Sequence, residues 1–96
     1  MEKRKELRVK KRALSSLEDK PAIIVDMSQC GIQISMNRPP RSQNVIIKLQ
    51  VDGKVITIKG DVRWIGRTAS SPSASHVGIA IREAPDEYYQ MLALPD

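Results

Sequence analysis

At 96 residues, with 41% hydrophobic and 28% charged side chains, the chain suits one domain with a modest core and is too ordinary in composition for global disorder. Its apolar runs, such as Ala22-Ile23-Ile24-Val25, are far short of the roughly 18 residues of a membrane-spanning helix. The net charge is +5, and a single cysteine, Cys30, excludes an internal disulfide and points to a reducing, cytoplasmic setting.

The charge is concentrated at one end. Residues 1–12 carry seven basic groups against two acidic ones, and the remaining 84 residues carry nine of each. The whole excess is therefore a local head, and such a head attracts an anion. It contains Arg4-Lys5-Glu6-Leu7-Arg8, two arginines in an RxxxR spacing. Like charges repel, so residues 1–12 are expected to form a flexible basic head ahead of a barrel over 13–82.

Val9 to Leu17 is expected to supply the first strand, and Pro21 to Met27 a short β-branched second one. Between that strand and the next stands Asp26-Met27-Ser28-Gln29-Cys30-Gly31, a DxSxxG at a strand-to-strand turn. Asp26 and Ser28 can bond local backbone in such a turn, and Gly31 can supply positive φ or let a ligand approach the main chain. Gly31 to Met36 alternates strictly, placing Ile32, Ile34 and Met36 on one face. Asn37 to Gln43, with Pro39-Pro40, reads as a loop.

Asn44 to Val51 alternates again and runs into Asp52-Gly53, a strong two-residue hairpin signal. Such a hairpin sets Leu49 against Ile56 and Ile47 against Ile58, so turn and apolar pattern agree. Gly60 then faces Val45 and marks a bend or bulge in an arm that continues to Ile65. Trp64, near its end, suits either an apolar wall beside a ligand or a core residue at the barrel's end. Thr68 to Ser75 is polar and predicts a loop. Val77, Ile79 and Ile81 form the inner face of a last strand, with Gly78 and Ala80 outside. Pro85-Asp86-Glu87 opens a short helix over 85–94, whose Tyr88, Met91 and Leu92 can close an open barrel end.

The sum is an all-β fold: one domain over 1–96, a small antiparallel six-stranded barrel with a short C-terminal helix. Catalysis finds little footing. His76 is the one imidazole and Cys30 the one thiol, zinc-like ligand pairs are missing, and neither a P-loop nor GxSxG occurs. The chain is expected not to be an enzyme and to hold neither metal nor cofactor.

The two motifs together resemble the PilZ domain, the bacterial receptor module for cyclic di-GMP, which carries RxxxR at its N-terminus and [D/N]xSxxG between the second and third strands of a six-stranded barrel. The chain matches both at Arg4, Arg8, Asp26, Ser28 and Gly31. Val62-Arg63-Trp64 is similar to the family's valine/x/tryptophan strand end, and Val77-Gly78-Ile79-Ala80-Ile81 to its GIxF strand, with Ile81 where phenylalanine is common. The resemblance covers essentially the whole chain.

It implies a cyclic di-GMP receptor in which Arg4 and Arg8 stack on guanine, donate to O6 and N7 and reach phosphate oxygens. Lysine cannot stack or fork in this way. It further implies that Asp26 accepts from guanine N1–H and the amino group, that Ser28 bonds a base or phosphate, and that Gly31 lets the ligand meet backbone. Lys3, Lys5, Arg63 and Trp64 are additional candidate contacts. Lys3, just before RxxxR, bears on whether one ligand or an intercalated pair is bound. Binding would fold the head across the barrel and present a changed surface to an unidentified effector protein, in control of motility, pili or exopolysaccharide. Two alternatives are a PilZ-like interaction module without nucleotide binding and a small basic barrel that binds nucleic acid. The latter is disfavoured because a stacking track of aromatic residues is missing from a chain without phenylalanine.

Overall fold

The structure, a computed structural model, describes residues 14–51, 53–68 and 71–93. The basic head, with Lys3, Arg4, Lys5 and Arg8, lies outside the described residues. Six strands and one helix follow in order: β1 (Leu14–Leu17), β2 (Lys20–Met27), β3 (Gly31–Met36), β4 (Asn44–Val51), β5 (Lys54–Thr68), β6 (Ser71–Glu83) and α1 (Asp86–Ala93). All pairings are antiparallel, and the sheet closes on itself in the order β1-β2-β3-β6-β5-β4. Among the described residues, closure leaves no edge strand to pair with another chain.

The β4–β5 hairpin has the register its turn dictates: Val51 pairs with Lys54, Leu49 with Ile56, Ile47 with Ile58 and Val45 with Gly60. Gly53 takes a φ of 78°, the left-handed conformation this turn requires and glycine adopts without strain. The alternating residues do face inward, and Ile34, Ile47, Leu49, Ile58 and Val77 are fully buried. The core is aliphatic and thioether, with Tyr88 its one buried ring. Each such aliphatic side chain contributes about 1.5–3 kcal/mol on burial.

The β1–β2 connection was not legible as a turn. Leu17 pairs with Lys20, so Glu18 and Asp19 make the whole loop, with φ of 53° and 67°. Glu18 does not favour that conformation, Asp19 adopts it more readily, and tertiary bonds at Glu18 offset the cost. Glu18 N–H donates to the Ile46 carbonyl at 3.0 Å, and Ile46 N–H donates to Glu18 Oε2 at 3.0 Å.

The loop expected over 68–75 is corrected. Gly66 pairs with His76 and Thr68 with Ser71, so β5 and β6 extend as one long hairpin and β6 begins at Ser71. Backbone ladder bonds suffice to hold small polar residues in a strand, which composition alone does not reveal. At the other end of β6, α1 sets Tyr88 and Met91 into the core and Leu92 against it. Among the described residues no helix is long and apolar enough to cross a membrane.

Candidate functional site

Two irregularities in the sheet create the site. In the β2–β3 ladder Ile24 pairs with Ile34 and the next pair is Asp26 with Gln33, leaving Val25 as the extra residue of a bulge. In the β5–β6 ladder Val62 pairs with Ile79 and the next pair is Trp64 with Gly78, leaving Arg63 extra. Side chains alternate across a strand with a period of two. Without the bulges, Asp26 would share the inward face of Ile24, and Trp64 that of Val62. Each bulge shifts the alternation by one residue and turns Asp26 and Trp64 outward. This removes one of the two readings of Trp64. The residue is 48% exposed on the outer wall and is not a core residue at the barrel's end.

The outcome is a row across four strands: Asp26, Gln33, Gly78 and Trp64, each opposite the next. Gly78 is the low point of the row, and the indole of Trp64 lies over it. A Cβ at position 78 would stand 2.2 Å from Trp64 Nε1 and 2.3 Å from Cε2. Only glycine lets the pyrrole half of the ring rest on the main chain of β6. Beside it opens a hollow of about 200 Å³, walled by Gln33, Arg63 and Trp64 and floored by Gly31, Gly78 and Ala80. Cys30, which is exposed, stands at its margin.

The turn below Asp26 is built by Ser28. Its side chain is fully buried. The N–H groups of Cys30 and Gly31 donate to Ser28 Oγ at 3.3 and 3.2 Å, and the hydroxyl donates to the Gly31 carbonyl at 3.3 Å. Ser28 N–H also donates to that carbonyl, at 2.8 Å. The serine is thus an internal brace for the loop, and its hydroxyl is engaged with backbone on every side the structure describes. Gly31 is buried and opens β3 opposite Ala80. The left-handed glycine of the described chain is Gly53, so positive φ is not the reason for glycine at 31.

Hydrogen bonds from β6 and α1 tie this turn to the rest of the fold. Ile81 N–H donates to the Cys30 carbonyl at 2.8 Å, and the Tyr88 hydroxyl donates to the Ser28 carbonyl at 2.7 Å. The helix therefore closes the core and also pins the far side of the DxSxxG turn. The carbonyl of buried Ser28, left without this partner, would cost about 1–3 kcal/mol.

Of the residues singled out in the sequence, the structure brings Asp26, Gly31, Arg63 and Trp64 to one outer face and places Ser28 beneath it. Gln33 and Gly78 complete the site and were not singled out as site residues. The signal for Gln33 was present, since it is the polar member of the alternating Gly31–Met36 strand next to the motif. Among the described residues no group of His, Cys, Asp or Glu could hold a metal ion.

The fold is a closed six-stranded barrel with a shallow hollow on its outer wall, beside the DxSxxG turn. The family model for the PilZ domain matches residues 2–93, and the chain belongs to the PilZ family. Its fold is similar to that of the Bacillus subtilis inhibitor of motility, MotI/DgrA, with a TM-score of 0.75 at 13% sequence identity. The match covers 96% of this chain and 48% of that one, so this chain spans about half the length of that protein. No curated protein matches the chain.

Proposed function

We propose that the protein is a cyclic di-GMP receptor that binds its ligand between the basic head and the outer wall of β2, β3, β6 and β5, and signals to a partner protein. The observation that carries this reading is the double bulge. Bulges at Val25 and Arg63 turn a carboxylate and an indole outward onto one row, an arrangement that core packing does not require.

In this reading Trp64 offers an apolar face to a base and Arg63 a cation beside it. Asp26 accepts from guanine N1–H and the exocyclic amino group, which adenine does not present in that pattern. Ser28 acts through the turn, holding Gly31 and Asp26 in place, and does not itself contact the ligand.

The size of the hollow explains why the head is needed. About 200 Å³ is below the roughly 300–1,000 Å³ of a pocket that encloses a drug-sized ligand. The described barrel seats one end of a cyclic dinucleotide and leaves the remainder, with its phosphates, to be covered. Arg4 and Arg8 stand in the basic head, residues 1–12, whose excess of positive charge equals that of the whole chain. Ordering that segment costs roughly 1–2 kcal/mol per residue in backbone entropy, so the ligand must supply several strong contacts to hold it down. The neighbouring fold belongs to a protein described as an inhibitor of motility, which makes a motility protein one class of partner for this receptor. A nucleic-acid reading gains nothing from the geometry, because among the described residues Trp64 is the one aromatic side chain on this face.

Calorimetric titration of the full chain with cyclic di-GMP, using GTP and cyclic di-AMP as controls, tests the proposal. Micromolar or tighter binding of cyclic di-GMP alone is expected. Equal or absent binding of all three would end it.

A further inference from the structure

The row at the site contains one side chain with hydrogen-bonding capacity that the PilZ motifs do not include. Gln33 stands directly opposite Asp26 on one side and Gly78 on the other. It is half-buried in the wall of the hollow. Among the described residues nothing hydrogen-bonds its side-chain amide. Directly opposed residues on one sheet face have Cβ atoms about 4.5–5.5 Å apart, so Gln33 and Asp26 can reach adjacent atoms of a single ligand. The order across the row is Asp26, Gln33, then the indole over Gly78. A base resting beside Trp64 therefore has Gln33 and Asp26 side by side along one edge.

We infer that Gln33 is a specificity-determining residue that reads guanine jointly with Asp26; this rests on the cyclic di-GMP reading above. A carboxylate is acceptor-only, while an amide has both a donor and an acceptor end. The Watson–Crick edge of guanine presents O6, N1–H and the amino group in sequence. With Asp26 on N1–H and the amino group, the Gln33 NH2 donates to O6. An amide alone can flip to suit adenine, whose edge offers a donor and an acceptor in the reverse order. Beside a fixed carboxylate that freedom is lost, because adenine N1 is an acceptor facing the Asp26 oxygens. Gln33 alone would choose poorly, and beside Asp26 it adds a bond that only guanine can accept. A site built to bond a polar group rejects an analogue that leaves its own groups unpaired.

The test is a calorimetric titration of wild type, Gln33→Leu and Gln33→Glu with cyclic di-GMP and cyclic di-AMP, with thermal melts to establish that each variant folds. Gln33→Leu keeps the size and removes both hydrogen-bonding ends. It is expected to weaken cyclic di-GMP about tenfold, the loss of one bond to a base, and to reduce the preference over cyclic di-AMP by a similar factor. Gln33→Glu sets an acceptor against O6 and is expected to weaken cyclic di-GMP by more than Gln33→Leu does. If wild type binds and both variants keep its affinity and selectivity, the Gln33 assignment is overturned while the receptor reading stands. Equal loss for both nucleotides also overturns it, since Gln33 would then add affinity without choice. If wild type binds neither nucleotide, the receptor reading itself falls, and the Gln33 assignment with it.

Discussion

Replacing Gly78 with alanine isolates the contribution of Trp64 to the site. The added Cβ would lie 2.2 Å from Nε1, 2.3 Å from Cε2 and 2.8 Å from Cδ1 of the indole, where ordinary contact begins at 3.4 Å. The ring must retreat by more than an ångström, and it has somewhere to go because it is 48% exposed. The fold therefore loses only the packing of one indole on β6, about 1 kcal/mol. The site loses its aromatic face. Base stacking on an aromatic side chain is worth about 1–3 kcal/mol, so cyclic di-GMP binding is expected to weaken about tenfold or more. Trp64 is the single tryptophan of the chain, so intrinsic fluorescence reports on it alone. Gly78→Ala is expected to raise iodide quenching and shift the emission while leaving the far-ultraviolet spectrum unchanged. Gly60→Ala is the control. There the new Cβ meets Ile79 Cγ2 at 2.5 Å and the Ala80 carbonyl oxygen at 2.8 Å, inside the barrel, where backbone cannot retreat. It is expected to lower stability by about 1–3 kcal/mol with far less effect on tryptophan emission. Wild-type emission and wild-type affinity in Gly78→Ala would refute the claim that this glycine seats the indole.

Two further substitutions test how the site is supported. Tyr88→Phe removes the 2.7 Å bond to the Ser28 carbonyl and is expected to cost about 1–1.5 kcal/mol in chemical denaturation, with faster amide exchange at Cys30 and Gly31 than elsewhere in the barrel. Asp19→Gly relieves a φ of 67° in the β1–β2 turn and gives up only an exposed 3.7 Å pair with Lys48. It is expected to stabilise the protein by about 0.5–1 kcal/mol and raise Tm by a few degrees, with no change in nucleotide affinity.

Much of the fold was legible because several local signals agreed. Asp52-Gly53 fixed a register that the apolar residues of β4 and β5 independently required, and Ile32, Ile34 and Met36 marked their strand by strict alternation. The β1–β2 turn was hidden because Glu18 and Asp19 are not the residues such a turn favours, and what holds them is a pair of bonds to Ile46 far along the chain. The start of β6 was hidden because Ser71 to Ser75 has loop composition and is strand only through its pairing.

The site was legible as a set of residue types and not as a geometry. The motifs named Asp26, Ser28 and Gly31, but alternation from Ile24 would have sent Asp26 inward, and alternation from Val62 would have done the same to Trp64. Bulges at Val25 and Arg63 reverse both, and no composition marks a bulge at valine or arginine. Ser28 shows the converse. A polar motif residue suggested ligand contact, and in the structure its hydroxyl bonds the backbone of its own turn. Gln33 became visible only once the register set it between Asp26 and Gly78.

The central claim is that one cyclic nucleotide joins the basic head to the outer wall of the barrel. Calorimetry with cyclic di-GMP on wild type, Arg4→Ala and Arg8→Ala tests it most directly, because these residues bear no part of the described core. Each substitution is expected to weaken binding tenfold or more while leaving thermal melting in the absence of ligand unchanged. Undiminished affinity in both variants would contradict the claim.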